Sequence, residues 1–242
     1  MDPPRKDPER IRSMFDRIAP RYDLLNRVLS LGRDRVWRRV TARRVEEEAP
    51  AGPVLDLACG TGDLLRELHR RGRRSRSRIG ADFAREMLER ARPKLLDVGC
   101  PPILLQADGR SLPFPDGALS GLTIAFGLRN FPDPSAGLDE MARVLRPGGV
   151  LGVLEFTRDR AWWMDPLYRP WARLVIPHLG RLLSGDEGAY TYLPASVAAY
   201  ASSGELWALL EGSALRRLEE RSFSGGICRL FLARRGNLQP RR

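Results

Sequence analysis

The run Val54-Leu55-Asp56-Leu57-Ala58-Cys59-Gly60-Thr61-Gly62-Asp63-Leu64 constrains this chain more than any other stretch. It reads as a buried strand, a tight glycine turn and a helix start. Gly60 and Gly62 remove Cβ atoms where the backbone must bend sharply, and they let a ligand approach closely. In an α/β protein such a strand–turn–helix points to a nucleotide-like ligand at the carboxyl end of the sheet. Two phosphate cradles are excluded. The dinucleotide fingerprint G-x-G-x-x-G needs a third glycine where this chain has Leu65. No Lys-Ser/Thr pair follows, so the run is not a P-loop. The turn is short, acidic at Asp56 and not built around phosphate, which suits an adenosyl ligand that carries none.

A chain of 242 residues fits one domain with a sizeable core and an N-terminal extension. No uncharged apolar run approaches the roughly 20 residues of a membrane span. The charged N-terminus lacks the apolar region of a signal peptide, so a cytoplasmic protein is expected. Cys59, Cys100 and Cys228 are widely spaced and odd in number. They make neither a metal pattern nor a disulfide framework, which favours a reduced cytosol and no metal. The formal net charge is +11, and of 41 lysines and arginines only Lys6 and Lys94 are lysine. Basic charge attracts nucleic acid or anionic lipid headgroups. The arginines are nevertheless spread along the whole chain, as on an ordinary solvated surface of an arginine-rich protein.

From residue 53 onward apolar runs alternate with helical patterns, the signature of a parallel α/β sheet. Strands are expected near 53–58, 78–82, 103–107, 119–126 and 149–156, and helices near 63–71, 84–96 and 135–145. Pro147-Gly148-Gly149 punctuates the start of the fifth strand. Residues 215–222 and 227–234 read as a hairpin-like pair about Ser224-Gly225-Gly226. Residues 1–48 form an N-terminal helical segment and candidate substrate lid: Ile11, Met14, Phe15 and Ile18 recur at helical spacing, as do Val36, Val40 and Val45. Residues 49–236 form the main domain, with a helical insertion at 161–212, and 237–242 a disordered tail. Trp162, Trp163, Tyr168 and Trp171 crowd the start of the insertion, which makes it a second lid candidate.

The glycine run resembles the first motif of the class I S-adenosylmethionine-dependent methyltransferases. That resemblance implies a Rossmann-like three-layer α/β sandwich on a mostly parallel seven-stranded sheet with an antiparallel last strand. Carboxyl ends of successive strands in such a sheet face one crevice. Asp56, ending the first strand, is placed to orient the turn or a water near the cofactor's amino acid moiety. Asp82, beside Phe83, ends the second strand, where a carboxylate accepts from both ribose hydroxyls. Asp108 ends the third and can accept from the adenine amino group, with the Gly109 backbone alongside. Any one of these acids reads equally well as a helix cap or turn former. Three at strand ends, in order, favour a cofactor site. An acid at 82 also suits a nicotinamide dinucleotide; the missing third glycine turns the balance.

Two further motifs narrow the family. Arg12-Ser13-Met14-Phe15-Asp16-Arg17-Ile18-Ala19-Pro20-Arg21-Tyr22-Asp23-Leu24-Leu25-Asn26, continuing through Leu29-Ser30-Leu31-Gly32 and Trp37-Arg38, is similar to the opening of the ubiquinone/menaquinone-biosynthesis carbon methyltransferases of the UbiE/MenG type. Phe126-Gly127-Leu128-Arg129-Asn130, Arg143 to Gly149, Leu154-Glu155-Phe156 and Tyr190-Thr191-Tyr192-Leu193 fit the same family. The likeness runs from about residue 9 to 234. It implies methylation of a ring carbon of a demethylated, prenylated quinol, giving menaquinol or the ubiquinol precursor. It carries over Thr61, Asp82, Asp108 and Gly109 as cofactor contacts, and Gly60 and Gly62 join them as the glycines of the turn. Ala125 stands where some members have a contacting serine, so only its backbone can serve. Gly109 replaces a frequent alanine, and the Ala-Gly-Phe that usually precedes the last strand pair is blurred into Gly212-Ser213-Ala214-Leu215.

A sulfonium methyl is already activated, so the protein must align acceptor and donor and enrich the ring carbon in electrons. Loss of a quinol proton does this, because phenolate charge delocalises onto the neighbouring carbon. Arg129, permanently charged and a fork of donors, is the expected partner of that oxyanion, with Asn130 on the second oxygen or a relay water. The alternative for both is to pin the loop after the fourth strand. For the base, a Tyr22–Asp23 relay, His178, Glu155 and a water held by Asn130 and Tyr22 are open, the last preferred. His178 follows Pro177 in an apolar stretch that suits a structural role, and His69 is expected to face solvent. Tryptophans mixed with Arg160, Arg169, Arg173 and Arg181 suit transient contact with an anionic membrane surface, or an ordinary amphipathic helix. A homodimer stays open. The basic stretch from Arg70 to Arg78 raises a nucleic-acid methyltransferase, yet no nucleic-acid module, Pro-Cys nucleophile or base clamp is visible. A methyltransferase of soluble phenols or sterols, and a non-catalytic cofactor binder, are the other rivals.

Overall fold

Seven strands, β1 (Val54–Leu57), β2 (Arg78–Asp82), β3 (Ile103–Gln106), β4 (Leu119–Ala125), β5 (Leu145–Phe156), β6 (Leu215–Phe223) and β7 (Cys228–Arg235), form one sheet in the order β3-β2-β1-β4-β5-β7-β6. The computed structural model describes residues 7–72, 76–99, 101, 103–159, 161–164, 196 and 200–236. β1 to β5 pair in parallel, and only β7 runs against its neighbours, between β5 and β6. The expected mostly parallel sheet with a reversed last strand is thus the one formed. β1 and β4 are buried at every position because helices cover both faces, as parallel pairing requires.

The helices are α1 (Pro8–Ile18), α2 (Tyr22–Leu29), α3 (Asp34–Glu48), α4 (Asp63–Arg71), α5 (Arg85–Leu96), α6 (Pro134–Val144) and α7 (Ser203–Gly212). Their starts follow local chemistry. Asp7 and Asp133 cap α1 and α6 ahead of a proline in the first turn, and Ser202 with Glu205 forms a capping box for α7. Side chains alternate across the sheet. Leu55 and Leu57 pack with Leu138 and Met141 of α6 and with Leu206, Trp207 and Leu210 of α7. Val54 packs on the other face, with Trp37 of α3, Leu64, Leu65 and Leu68 of α4, and Ala91 and Leu95 of α5. The result is three layers with two cores.

Three expectations are corrected. β5 begins at Leu145, not near 149, because Leu145 pairs with Leu119 and the chain bulges through Arg146–Gly149 before Val150 meets Gly121. The glycines therefore sit inside the strand as a bulge. Val36 lies on the solvent side of α3; the buried stripe is Trp37, Thr41, Ala42 and Val45. His69 is half-buried and engaged rather than solvent-facing. Within the insertion, Trp162–Met164 makes one 3-10 turn before α7. Tyr168, Trp171, His178, residues 190–193 and the 237–242 tail lie outside the described residues.

The N-terminal segment packs separately. Met14, Ile18 and Ala19 make a small cluster with Ala84 and Met87 at the start of α5, joined by Phe15, Tyr22 and Leu29. Asp16 accepts the Glu86 amide (3.2 Å), giving α5 a capping carboxylate from α1. At the opposite end of the sheet, Glu46 of α3 meets Arg76 (3.2 Å) and Arg78 (3.2 Å), all three buried. A buried carboxylate shared by two guanidiniums ties α3 to the start of β2. Removing its charge leaves two buried cations facing an amide, which is costly. Glu46→Gln is expected to lower the unfolding free energy by about 3 kcal/mol, read by urea denaturation; a loss below about 0.5 kcal/mol would show that the guanidiniums are balanced elsewhere.

Candidate functional site

The connection from β1 to α4 is bent by three left-handed residues, Ala58 (φ 52°), Gly60 (φ 54°) and Gly62 (φ 81°). Glycine adopts this backbone without strain; Ala58 does so at a cost of about 1 kcal/mol or more. At the end of β4, Phe126 is left-handed as well (φ 59°). Its surroundings hold it there. The Phe126 amide donates to the Leu154 carbonyl (2.8 Å), and its own carbonyl accepts from Arg129 Nη1 (2.6 Å) and Asn130 Nδ2 (3.3 Å). The ring stacks on Phe156 with centroids 4.5 Å apart. The two strained strand ends touch, since a Cβ on Gly127 would lie 2.6 Å from the Ala58 Cβ.

Above these strand ends lies a cleft of about 830 Å³, open to solvent. Its wall brings together Gly60, Asp82, Phe83, Asp108, Gly109 and Ala125 of the expected cofactor set with Tyr22 and Asn130 of the expected catalytic set. Asp82 accepts the amides of Gly60 (2.7 Å) and Ala84 (2.9 Å), so it braces the glycine turn and the start of α5 together. Burial outweighs those bonds and pushes its carboxyl up to about 6. Asp108 is held below the usual carboxylate range by Arg110, whose guanidinium grips both oxygens at 2.7 to 3.2 Å. Gly109 leaves room for Phe131, whose Cζ would stand 2.4 Å from an added Cβ. An alanine there would require the Phe131 ring to shift.

Asp56, Thr61, Gly62 and Arg129 are not part of that wall. Asp56 lies in mid-strand, facing the α3–α4 layer with Val54, and accepts from Thr123, its partner across the parallel ladder (2.7 Å). Desolvation pushes its carboxyl up to about 7, and its Oδ2 is buried with no hydrogen bond of ordinary geometry among the described residues. The Thr61 hydroxyl donates to Asp23 of α2 (2.5 Å) rather than facing the cleft. Gly62 rests on α5. Arg129 stands behind the wall, its Nη1 bonded to Glu155 (2.7 Å), and Glu155 is wholly buried. The same ion pair engages Glu155, one of the bases considered, and Asp23, another, is bonded to Thr61 and Lys94. Burial pushes the Cys59 thiol in the glycine turn well above its ordinary value, which makes it a poor nucleophile.

Sequence reasoning missed part of the wall. Ile11 and Phe15 of α1 line it, as do Met87, Arg110 and Phe131. Ile11 and Phe15 had shown as an i, i+4 apolar pair, which reads as core until the helix is seen to lie over a cleft. Arg110 had a signal, directly after Asp108-Gly109.

Residues 5–235 match the model of the ubiE/COQ5 methyltransferase family. The chain is 49% identical over 197 residues to a demethylmenaquinone methyltransferase of Thermus thermophilus, covering 81% of this chain and 89% of the relative. It is 44% identical over 220 residues to the ubiquinone/menaquinone biosynthesis C-methyltransferase UbiE of Syntrophotalea carbinolica, covering 91% and 92%. Among solved structures, a SAM-dependent methyltransferase from Aquifex aeolicus superposes with a TM-score of 0.63 at 17% identity, covering 88% of this chain and 97% of that one. The [4+2]-cyclase SpnF superposes with a TM-score of 0.69, also at 17% identity, covering 93% and 96%. These two establish the fold, since one frame carries differently named chemistries. By its sequence, over nearly its whole length, the chain belongs to the ubiE/COQ5 methyltransferase family.

Proposed function

We propose that the chain transfers the methyl group of S-adenosylmethionine to a ring carbon of a demethylated, prenylated quinol, giving menaquinol, with the ubiquinol precursor as a further acceptor. The observation that carries this reading is one cleft lined together by Asp82, at the end of β2, Asp108, just beyond β3, Tyr22 and Asn130. The names of the relatives support the acceptor class.

The residues present suit the methyl donor. Asp82 is a half-buried acceptor for the ribose hydroxyls, and the Gly60 amide is fixed against it at 2.7 Å. Asp108, with Gly109 backed by Phe131, offers an acceptor and a flat slot for adenine. Phe83 and the Ala125 backbone complete the contacts. Asp56, Thr61 and Gly62 support the turn from beneath: Asp56 through Thr123, Thr61 through Asp23, and Gly62 through α5. When bound, S-adenosylmethionine supplies a methyl group on a positively charged sulfur.

The acceptor carbon must be made electron-rich by removing a quinol proton. Tyr22 and Asn130 are placed in the wall to hold the quinol oxygen or a water that takes the proton. Arg129 is assigned as a positioning residue, because its guanidinium is neutralised by Glu155 and fastened to the Phe126 carbonyl. It holds the left-handed Phe126 and, through that turn, Asn130. Residues 8–29 act as the lid, contributing Ile11, Phe15 and Tyr22 to the cleft.

Among the described residues no helix is long and apolar enough to cross a membrane. Reversible contact with an anionic bilayer is supported by Trp162 (86% exposed) and Trp163 (53%), and by the α2–α3 corner. That corner exposes Leu24, Leu31 and Val36 among Arg33, Arg35 and Arg39, while its single acid, Asp34, is buried. The nucleic-acid reading loses support: in the Arg70–Arg78 stretch, Arg76 and Arg78 are buried on Glu46.

Methyl transfer from labelled S-adenosylmethionine to demethylmenaquinol, in parallel with a ubiquinol precursor, a soluble phenol and tRNA, tests the assignment; label on tRNA alone would overturn it. Asn130→Ala is expected to lower kcat by about 100-fold with cofactor affinity retained. A ribose hydroxyl needs the Asp82 carboxylate as acceptor, so a proton on Asp82 competes with the cofactor. Affinity therefore falls as pH drops through about 6, by about tenfold between pH 7 and pH 5. Titration calorimetry reads this, and Asp82→Asn should bind weakly at every pH, with the dependence gone. For the bilayer contact, co-sedimentation with anionic vesicles that is lost at high salt is expected, and equal binding to zwitterionic vesicles would refute the electrostatic part.

A further inference from the structure

Lys94 is one of only two lysines among 41 basic side chains, and it sits in the last turn of α5. Three oxygens converge on its ammonium. Asp63 Oδ1, at the start of α4, lies at 2.5 Å; Asp23 Oδ2 of α2 at 2.6 Å; and Thr61 Oγ1 of the glycine turn at 3.2 Å. Thr61 in turn donates to the other Asp23 oxygen (2.5 Å), which closes a ring of bonds. The glycine turn rests on the same face of α5. A Cβ on Gly62 would lie 3.3 Å from Ala91 Cβ and 3.4 Å from the Leu95 side chain, and positions 91, 94 and 95 are neighbours on a helix. Tyr22 precedes Asp23 and reaches over the turn, its Cε1 3.6 Å from the place of a Gly60 Cβ.

We propose that Lys94 is a positioning residue that latches α2 onto the glycine turn, so that Tyr22 is held over the cleft and the lid stays closed on bound cofactor. The physical case rests on charge and shape. Lys94 is the cation that Asp23 and Asp63 share, and although Arg66 also lies 3.7 Å from Asp63, removing the lysine takes away the charge that joins the two carboxylates across lid and turn. Burial alone would push the Asp63 carboxyl up; the charges of Lys94, Arg38 and Arg66 together offset this and hold it below the ordinary range, Lys94 contributing the most of the three. A compact ammonium donates to Asp23 and Thr61 from one atom while it pairs with Asp63 at 2.5 Å. A guanidinium spreads its donors over a rigid plane and does not reproduce that arrangement, so lysine is not exchangeable with the arginine this chain uses elsewhere.

The cofactor side of the proposal rests on the methyltransferase reading; the latch itself does not. Lys94→Met keeps the apolar stem and removes the charge. Hydrogen exchange on the free protein should then quicken at least about tenfold in residues 8–29, with β1 and β4 unchanged. In steady state, KM for S-adenosylmethionine should rise about tenfold while kcat falls less than threefold, because saturating ligand draws the lid shut again. Lys94→Arg should recover only part of this protection. Lys94→Met with Asp23→Asn, which removes the facing charge, should recover more of it than Lys94→Met alone. Unchanged exchange in residues 8–29, acceleration spread evenly through the sheet, or full recovery by arginine would each overturn the latch. If the exchange pattern appears but wild-type protein transfers no methyl to a quinol, the fault lies with the assigned reaction and not with Lys94.

Discussion

The left-handed backbone of Ala58, Gly60 and Gly62 is the constraint on which the rest of the structure depends. It turns the chain from a buried strand into α4 within a few residues and leaves the Gly60 amide aimed at Asp82. Such geometry is unfavourable in isolation and persists only when neighbours over-determine it. Here they come from four directions: Asp82 from β2, Ala91 and Leu95 from α5, Tyr22 from α2, and Gly127 from the end of β4. The second left-handed strand end, Phe126, is held by Arg129, Asn130 and Phe156. The cleft is the space between these two enforced bends. Its position follows from the sheet order, since β1 and β4 are where the strand sequence changes direction.

Much of the architecture was legible because it depends on local pattern. Largely apolar runs at 54–57 and 119–125, set between helical patterns, announced parallel strands. Asp82 and Asp108 were legible for the same reason, as strand-end acids. What stayed hidden depends on residues far apart in the chain. Arg129 showed its charge but not its counter-charge, Glu155, which arrives from the next strand. Thr61 showed a hydroxyl next to a glycine turn, and nothing local revealed that Asp23 would accept from it. The phase of α3 was misread at Val36, which is apolar on its outer side, while Thr41 and Glu46 are buried. Periodicity finds a stripe; it does not say which apolar residues are left out of it.

The arginine excess is also reinterpreted. Several guanidiniums brace the fold from within or at its seams. Arg76 and Arg78 close on Glu46, Arg129 on Glu155, and Arg143 on Glu140 and Asp116, while Arg235 donates to the carbonyls of Arg143 and Leu145. Planar forks suit carboxylates and clustered carbonyls at strand and helix ends. Composition alone suggested a surface charge waiting for a polyanion. Part of it is structural mortar, and the α2–α3 corner is one of the places where arginines remain outward.

Phe131 lies between two glycines, with its ring where the side chains of Gly109 and Gly137 would be. The three residues share one volume: the ring is large because both neighbours have nothing. This makes the wall at Gly109 adjustable through a single position. Trimming Phe131 would leave a ring-sized recess opening onto the cleft, bordered by a backbone that does not need to move. On the proposed assignment of Gly109 to the adenine slot, a donor analogue enlarged on the side that faces Gly109 would then fit a trimmed enzyme and clash with the natural one. The packing of one ring against Gly109 thus supplies, on that assignment, a route to an orthogonal enzyme–cofactor pair.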